Sequence, residues 1–277
     1  TKVKILLDQI RDFKPDVVYC IDINFLNKQL VRKVKRIASV IVGQIASPLP
    51  PKSFYMEYDH IFSAHPKQVN HFKKLGISSS WLPLAFDQEH LKHFEQHGWP
   101  ERSRDVAFVG SFGRHQSNTG PLMKAVAKFV PSLEIFTFAP VAQLQRLGLD
   151  RFLKGKAWGF EMHRVFAESK VVINRHGKVA DGYSVNYRLF EATSMGAILV
   201  TEEGKNISEL FDPGVEVLTY RTLEEAGEKV RMVLDDYPKW SALANAGQKR
   251  TLENHTFYKR AAQISRTLQE LSQAKQR

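Results

Sequence analysis

The chain holds a single cysteine among 277 residues. Cys20 therefore has no partner for an internal disulfide, and paired-thiolate zinc sites are excluded with it. It lies in the apolar run VVYCID with no base beside it, which marks a core thiol rather than a nucleophile. No apolar stretch reaches the roughly 20 residues of a membrane-spanning helix, and no signal-peptide pattern opens the sequence, so a cytoplasmic location is expected. H-E-x-x-H, P-loop and G-x-G-x-x-G patterns are all missing, which removes the main support for a zinc protease, a P-loop ATPase or an NAD enzyme. The adjacent acids Asp235 and Asp236 stand at a helix end before Pro238 and read as surface charge, so no metal is expected. Acidic charge is also short, with 29 Asp+Glu against 40 Lys+Arg and a net charge of +11. That excess favours an anionic partner without choosing among nucleic acid, sugar nucleotide and acidic lipid. The basic and aromatic interleaving of single-strand binders is absent, so no specific nucleic acid is expected.

What the chain does have is a repeating alternation. Apolar runs of four to seven residues (VVYCID, SVIVGQI, HIFSA, SSWLPLAF) are separated by helical segments at 25–38 and 66–75. A second series follows: DVAFVGSF, LEIFTFA, a short strand near 152–157, KVVINRH, GAILVTEE and VEVLTY, with helices at 121–129, 141–147, 160–168, 222–235 and 238–253. Buried strands alternating with helices indicate an α/β fold built on parallel sheets. Residues 87–104 are polar, contain Gly98-Trp99-Pro100, and read as a linker between two lobes. The expected division is a first lobe over 1–92, a second over 103–254 and a closing helix over 255–277. That last helix places Phe257, Ala261, Ile264, Leu268 and Leu271 on one face, so it docks on another element. Because the chain opens on a helix, the first lobe is expected to be incomplete, with one or two βα units ahead of it.

Three constellations fall in loops after strands of the second lobe, where an open α/β sheet gathers its ligand contacts. In VGSFGRHQSNTG, Gly110 and Ser111 offer backbone N–H groups and Arg114 a cation, although a plain strand-to-helix turn uses glycine as well. INRHGK supplies Asn174, Arg175, His176 and Lys178 at the end of a buried strand. The stretch SVNYRLFEATSMG sets Asn186, Arg188 and Glu191 near a helix start, with Gly196 ending the helix. A carboxylate beside a phosphate-binding turn suits a ribose diol, while cap and surface ion-pair roles are the plain alternative. His176 is one candidate general base. In the first lobe, Ser47 and His65 end strands and are further catalytic candidates. Lys28, Arg32, Lys35 and Arg36 form a basic helix face that suits either solvent or the inner surface of an anionic membrane.

The ordered set FVGS…R, VVIN, N-x-R-x-F-E-A-T-x-x-G-A-x-L-V-T, ELFDPGVEVLTY and AGQKRTLENHTFYKR resembles the CgeB-like glycosyltransferases, which are similar to group-1 GT-B enzymes. The resemblance implies a GT-B-like pair of Rossmann-like lobes. A nucleoside-diphosphate sugar would be held by the second lobe, and a glycan, lipid-linked or protein acceptor by the first. It further implies metal-independent hexosyl transfer without a cofactor, as in cell-surface polysaccharide synthesis. By position, Glu191 matches the second acid of the family's E-x7-E pattern and the first falls at Tyr183. Arg114 and Arg188 would neutralise the diphosphate, with Gly110 and Ser111 as backbone donors. Where group-1 enzymes often carry a histidine after the strand SVIVGQI, this chain has Gln44 and Ser47. The alternative is a non-catalytic sugar-nucleotide or glycan-binding module.

Overall fold

A computed structural model describes residues 2–113, 116 and 118–276. The chain divides into two compact units, residues 1–83 with 258–277 and residues 84–257.

In the first unit, β1 (Val17–Cys20), β2 (Val40–Ile45), β3 (His60–Ser63) and β4 (Ser79–Trp81) form a four-stranded parallel sheet in sequential order. The period-2 alternation of β2 explains why both of its faces are covered. Ile41 and Ile45 join a cluster with Leu30, Val31 and Val34 of α2 (Lys28–Val34) and Leu7 of α1 (Lys2–Phe13). Val40 and Val42 point the other way, onto Phe62 and Leu82. That second face is closed by the last helix of the chain: Ile264, Leu268 and Leu271 of Phe257–Gln276 pack on it, Gln263 Nε2 donates to Trp81 O at 2.8 Å and Arg260 Nε to Pro83 O at 2.7 Å. Phe257 and Ala261, expected on the same stripe, are exposed. Cys20 is buried, and desolvation raises its thiol pKa, as a core position requires.

The second unit holds a six-stranded parallel sheet. Its strands are β5 (Arg104–Val109), β6 (Leu133–Phe136), β7 (Leu153–Gly155), β8 (Ser169–Asn174), β9 (Ile198–Glu202) and β10 (Leu218–Tyr220), in the spatial order β10-β9-β8-β5-β6-β7. The helices over Thr119–Phe129 and Leu223–Asp235 pack against each other over one face. Those over Phe160–Glu168, Arg188–Ser194 and Ser241–Asn254 also pack together.

The stretch read as a linker is not one. Residues Glu89–His97 form a helix of the second unit, with Leu91 and Phe94 buried and Phe94 stacked on Trp99 and Phe160. Its polarity belongs to the outer face, and two apolar residues three apart are enough to seat one side. The unit boundary accordingly falls at 83/84 rather than within 93–102.

Arg102, from the same stretch, is a fastener. Nη1 donates to Ala167 O at 3.2 Å and Ser169 O at 2.7 Å, and Nη2 donates to Met195 O at 2.9 Å. One guanidinium thus satisfies carbonyls at the C-terminal ends of two helices, where unpaired acceptors and the negative dipole end favour a cation. Gly196 leaves room for it. A Cβ there would stand 2.6 Å from Arg102 Nη2, and its φ of +71° suits glycine in any case. We expect Arg102→Ala to lower unfolding free energy by about 3 kcal/mol in urea titrations, and Arg102→Lys to recover only a minor part, because an ammonium cannot span the carbonyls that the planar fork reaches.

Candidate functional site

The chain lays down β5, β6 and β7 outward in one direction and then returns to add β8, β9 and β10 on the other side of β5. The β5/β8 boundary is therefore a topological switch point, where loops leave in opposite directions and open a crevice at the strand C-termini. A cavity of about 370 Å³ lies there, within the range of small-molecule sites. Its floor is Val109–Gly113, its walls are Phe136–Pro140 and Ala157–Trp158, and Arg188 enters from the other side of the switch. The floor is backbone because Gly110 has no side chain: a Cβ would stand 2.5 Å from the Phe108 ring. Phe138 and Trp158 are 63% and 76% exposed at the rim, and Lys156 Nζ lies 5.5 Å from the centre of the Phe138 ring. Exposed aromatic faces around a polar floor offer stacking to a flat ligand and hydrogen bonds to its edge.

Arg188 is the first residue of its helix. Nε donates to Val109 O at 3.1 Å, Nη1 pairs with Glu191, and Nη2 has no hydrogen-bond partner among the described residues. Asn186 lies ahead of the helix rather than on it. Its Oδ1 accepts from Arg188 N at 2.8 Å, and its Nδ2 donates to Asn174 Oδ1 at 3.1 Å and Arg175 O at 3.0 Å. Asn174 in turn donates to Thr201 Oγ1 at 2.9 Å, and its carbonyl accepts from Tyr220 OH at 2.8 Å. Of the donor-site residues expected from sequence, Gly110, Ser111 and Arg188 meet around the cavity, with Glu191 tied to Arg188. Asn174 and Asn186 brace the loop beneath Arg188. Arg114 lies outside the described residues.

Arg175 and His176 are buried. Arg175 Nη2 stands 3.9 Å from Glu202 Oε1, and Nη1 has no hydrogen-bond partner among the described residues. His176 N donates to Glu202 Oε2 at 2.9 Å, its ring Nε2 lies 3.2 Å from Glu202 O, and burial pushes the imidazole down to about 4. It is a neutral interior ring at pH 7. The following loop is strapped to the segment after β9 by Ser184 N donating to Asn206 Oδ1 at 2.7 Å and Lys205 N to Gly182 O at 2.9 Å. In the first unit, His65 Nδ1 accepts from Lys67 N at 3.3 Å as a helix N-cap, Ser47 Oγ accepts from Asn24 Nδ2 at 3.1 Å, and Gln44 is bonded to Tyr19 OH. Among the described residues no group of three His, Cys, Asp or Glu side chains could hold a metal ion, and no helix is long and apolar enough to cross a membrane.

The wall residues Thr137, Phe138 and Trp158 are not among the sequence-derived candidates. LEIFTFA reads as strand to its end, whereas β6 stops at Phe136, so that TFAP becomes a loop at the same sheet edge as Gly110. The usable signal is a polar or aromatic residue next to Pro or Gly after an apolar run, as in TFAP and AWG.

With this geometry in place, the comparisons are consistent. The family model described as Glycosyl transferase-like matches residues 136–266. Sucrose-phosphate synthase from Thermosynechococcus elongatus is similar in fold, with a TM-score of 0.74 and 12% identity over 99% of this chain and 78% of that one. HepE of Anabaena, solved with UDP and glucose, gives 0.71 and 16% over 97% and 81%. The lipopolysaccharide outer core galactosyltransferase WaaB gives 0.67 and 13% over 97% and 79%. The fold is that of the GT-B glycosyltransferases, two α/β units each on a parallel sheet. No curated protein sequence matches the chain.

His163, buried in the same unit, has neither ring nitrogen bonded among the described residues, has its ring centre 4.2 Å from that of His90, and is held down to about 4 by burial and by the nearby His90 and Arg188. The unfolded chain takes up this proton near pH 6.5 and the folded chain only near 4, so stability falls as pH drops through that window. Urea titrations should show His163→Phe losing about 2 kcal/mol less than the parent between pH 7 and pH 5. An unchanged difference would place the proton uptake elsewhere.

Proposed function

We propose that this chain transfers a hexosyl group from a nucleoside-diphosphate sugar to an acceptor hydroxyl, with the nucleotide held in the second unit. The single observation that carries this reading is Arg188, a guanidinium fixed by Val109 O and Glu191 whose Nη2 has no partner among the described residues, placed at the mouth of a cavity with a backbone floor and an aromatic rim. The base would stack at Phe138 and Trp158. The diphosphate would take Arg188 Nη2 and the N–H groups of Gly110 and Ser111, and Glu191 would accept the ribose hydroxyls with the lone pairs its ion pair leaves free. In the reaction, the acceptor oxygen bonds to the anomeric carbon as the bond to the diphosphate oxygen breaks, and the acceptor's proton leaves to a base or to the departing diphosphate. Charge grows on the diphosphate, so a cation already held in position stabilises the transition state without reorganising. No metal or cofactor is part of this proposal. The acceptor would face the strand ends of the first unit, near Ser47 and His65, in a cytoplasmic pathway of cell-surface glycan synthesis. HepE's complex with UDP-glucose and the family match over 136–266 support the donor class.

One observation favours a second reading. Tyr183 occupies the position where the resemblance places an acid, under Lys205 Nζ at 5.1 Å from its ring centre, which suits a module that binds a sugar nucleotide without turning it over.

Calorimetric titration of UDP, GDP, dTDP, CMP and ADP into the parent chain and Glu191→Ala tests the donor site. One diphosphate should bind, and the variant should lose about 1–3 kcal/mol, the value of a lost partner to a buried polar group. Binding that is indifferent to Glu191 removes the ribose assignment. Binding with neither hydrolysis nor transfer of the matching nucleotide sugar leaves the module reading in its place.

A further inference from the structure

The second unit carries 22 Lys+Arg against 22 Asp+Glu, whereas the first carries 18 against 7 and so accounts for the whole net charge of +11. No general positive field therefore draws a nucleotide to the Arg188 cavity. The choice of base must come from particular side chains beside it.

A second cavity, of about 260 Å³, adjoins the first, and Phe136 and Ala157 line both. It follows the helix over Phe160–Glu168, which leaves the C-terminal edge of the sheet after β7 and delivers the chain to the start of β8 at the opposite edge. Arg104, Arg164 and Glu168 stand toward the far end, and their charges are paired: Glu168 meets Arg104 and Arg164 at 2.9 Å each, and Arg104 also pairs with Glu134. Lys156 and Glu161 stand at the near end, two residues before and three after Trp158 of the aromatic rim. Both are exposed, and neither forms an ion pair among the described residues. Lys156 Nζ is already 5.5 Å from the centre of the Phe138 ring, the other aromatic of that rim.

We propose that Lys156 and Glu161 read the edge of the nucleotide's base and select guanine, so that the donor is a GDP-sugar. The inference rests on the nucleotide site proposed above and adds the identity of its base. An ammonium only donates hydrogen bonds and an ionised carboxylate only accepts them. A base that satisfies both sets two donors beside an acceptor along one edge. Guanine does so, with N1–H and the N2 amino group side by side for the Glu161 carboxylate and O6 next to them for Lys156. Uracil and thymine present one N–H between two carbonyl oxygens, which would turn an acceptor toward Glu161. Adenine and cytosine offer one amino group beside a bare ring nitrogen, so one carboxylate oxygen goes without a donor. Polar groups left unpaired by the wrong base discriminate more sharply than pocket shape. The rings of Phe138 and Trp158 stack with any base and carry no choice among them.

Calorimetric titration of GDP, inosine diphosphate, UDP, dTDP and ADP into the parent chain, Glu161→Gln and Lys156→Met tests this. GDP should bind tightest. Inosine diphosphate, which lacks only the N2 amino group, should be weaker by about ten-fold, the value of one hydrogen bond to a charged group. Glu161→Gln should weaken GDP by about ten-fold or more and leave UDP and ADP unchanged, and Lys156→Met should weaken GDP and inosine diphosphate alike. The comparison of GDP with inosine diphosphate uses the parent chain alone, so it stands whatever the variants do to folding. The proposal is overturned by UDP, dTDP or ADP binding more tightly than GDP, by equal affinity for GDP and inosine diphosphate, or by GDP binding that is indifferent to Glu161. Tight binding of another diphosphate that depends on Glu191 overturns the choice of guanine and leaves the donor site standing. Failure of every nucleotide to bind removes both.

Discussion

The geometry around the cavity of the second unit depends on how the last carbonyl of β5 is satisfied. Val109 O lies where its strand ends, and a carbonyl there needs a donor. Arg188 Nε supplies it from the far side of the switch point, and in doing so fixes where the guanidinium can be. A chain of polar contacts holds Arg188 in that place: Glu191 takes Nη1, Asn186 takes its backbone N–H, and Asn174 holds Asn186 while bonded to Thr201 and Tyr220. A cation positioned by four strands of a sheet costs little to keep in place when an anion arrives, which is the condition for strong electrostatic stabilisation.

Most of the elements were legible because parallel strands buried on both faces leave continuous apolar runs, as in SVIVGQI and GAILVTEE, and the helices between them carry a clear 3.6 period. The failures have physical causes. Residues 87–104 look polar because a helix that seats only Leu91 and Phe94 shows no full apolar stripe, and its remaining contacts, such as Phe94 with Phe160, join residues far apart in sequence. Arg102 looked like linker charge, since nothing local reveals that its partners are the carbonyls of Ala167, Ser169 and Met195.

The candidate site was legible only in part, and the division is instructive. Gly110, Ser111 and Arg188, singled out by glycine and arginine near strand ends, line one cavity. Asn174, Asn186, Arg175 and His176 carry the same outward signal, a polar residue at a strand end, yet their hydrogen bonds run within the protein. Polarity at a strand end announces that a hydrogen bond must be made and says nothing of with whom. Phe138 and Trp158 gave the opposite difficulty. An exposed aromatic has no periodicity to betray it, and only the chain's return to one sheet edge brings the two together.

Net charge is the least local property of a sequence, and here it misleads when applied to the whole chain. An excess of +11 invites the view that a general positive field attracts an anionic donor. The unit with the Arg188 cavity has no net charge, so any phosphate there must be recognised by particular groups at hydrogen-bond distance. Fields from exposed charges fade over a Debye length of about 8 Å at physiological salt, far less than the width of a domain. Excess charge gathered in one unit therefore acts on what touches that unit. The net charge of +11 thus divides into one unit where Lys+Arg and Asp+Glu balance and Arg188 is held by Val109 O and Glu191, and another that carries the whole excess.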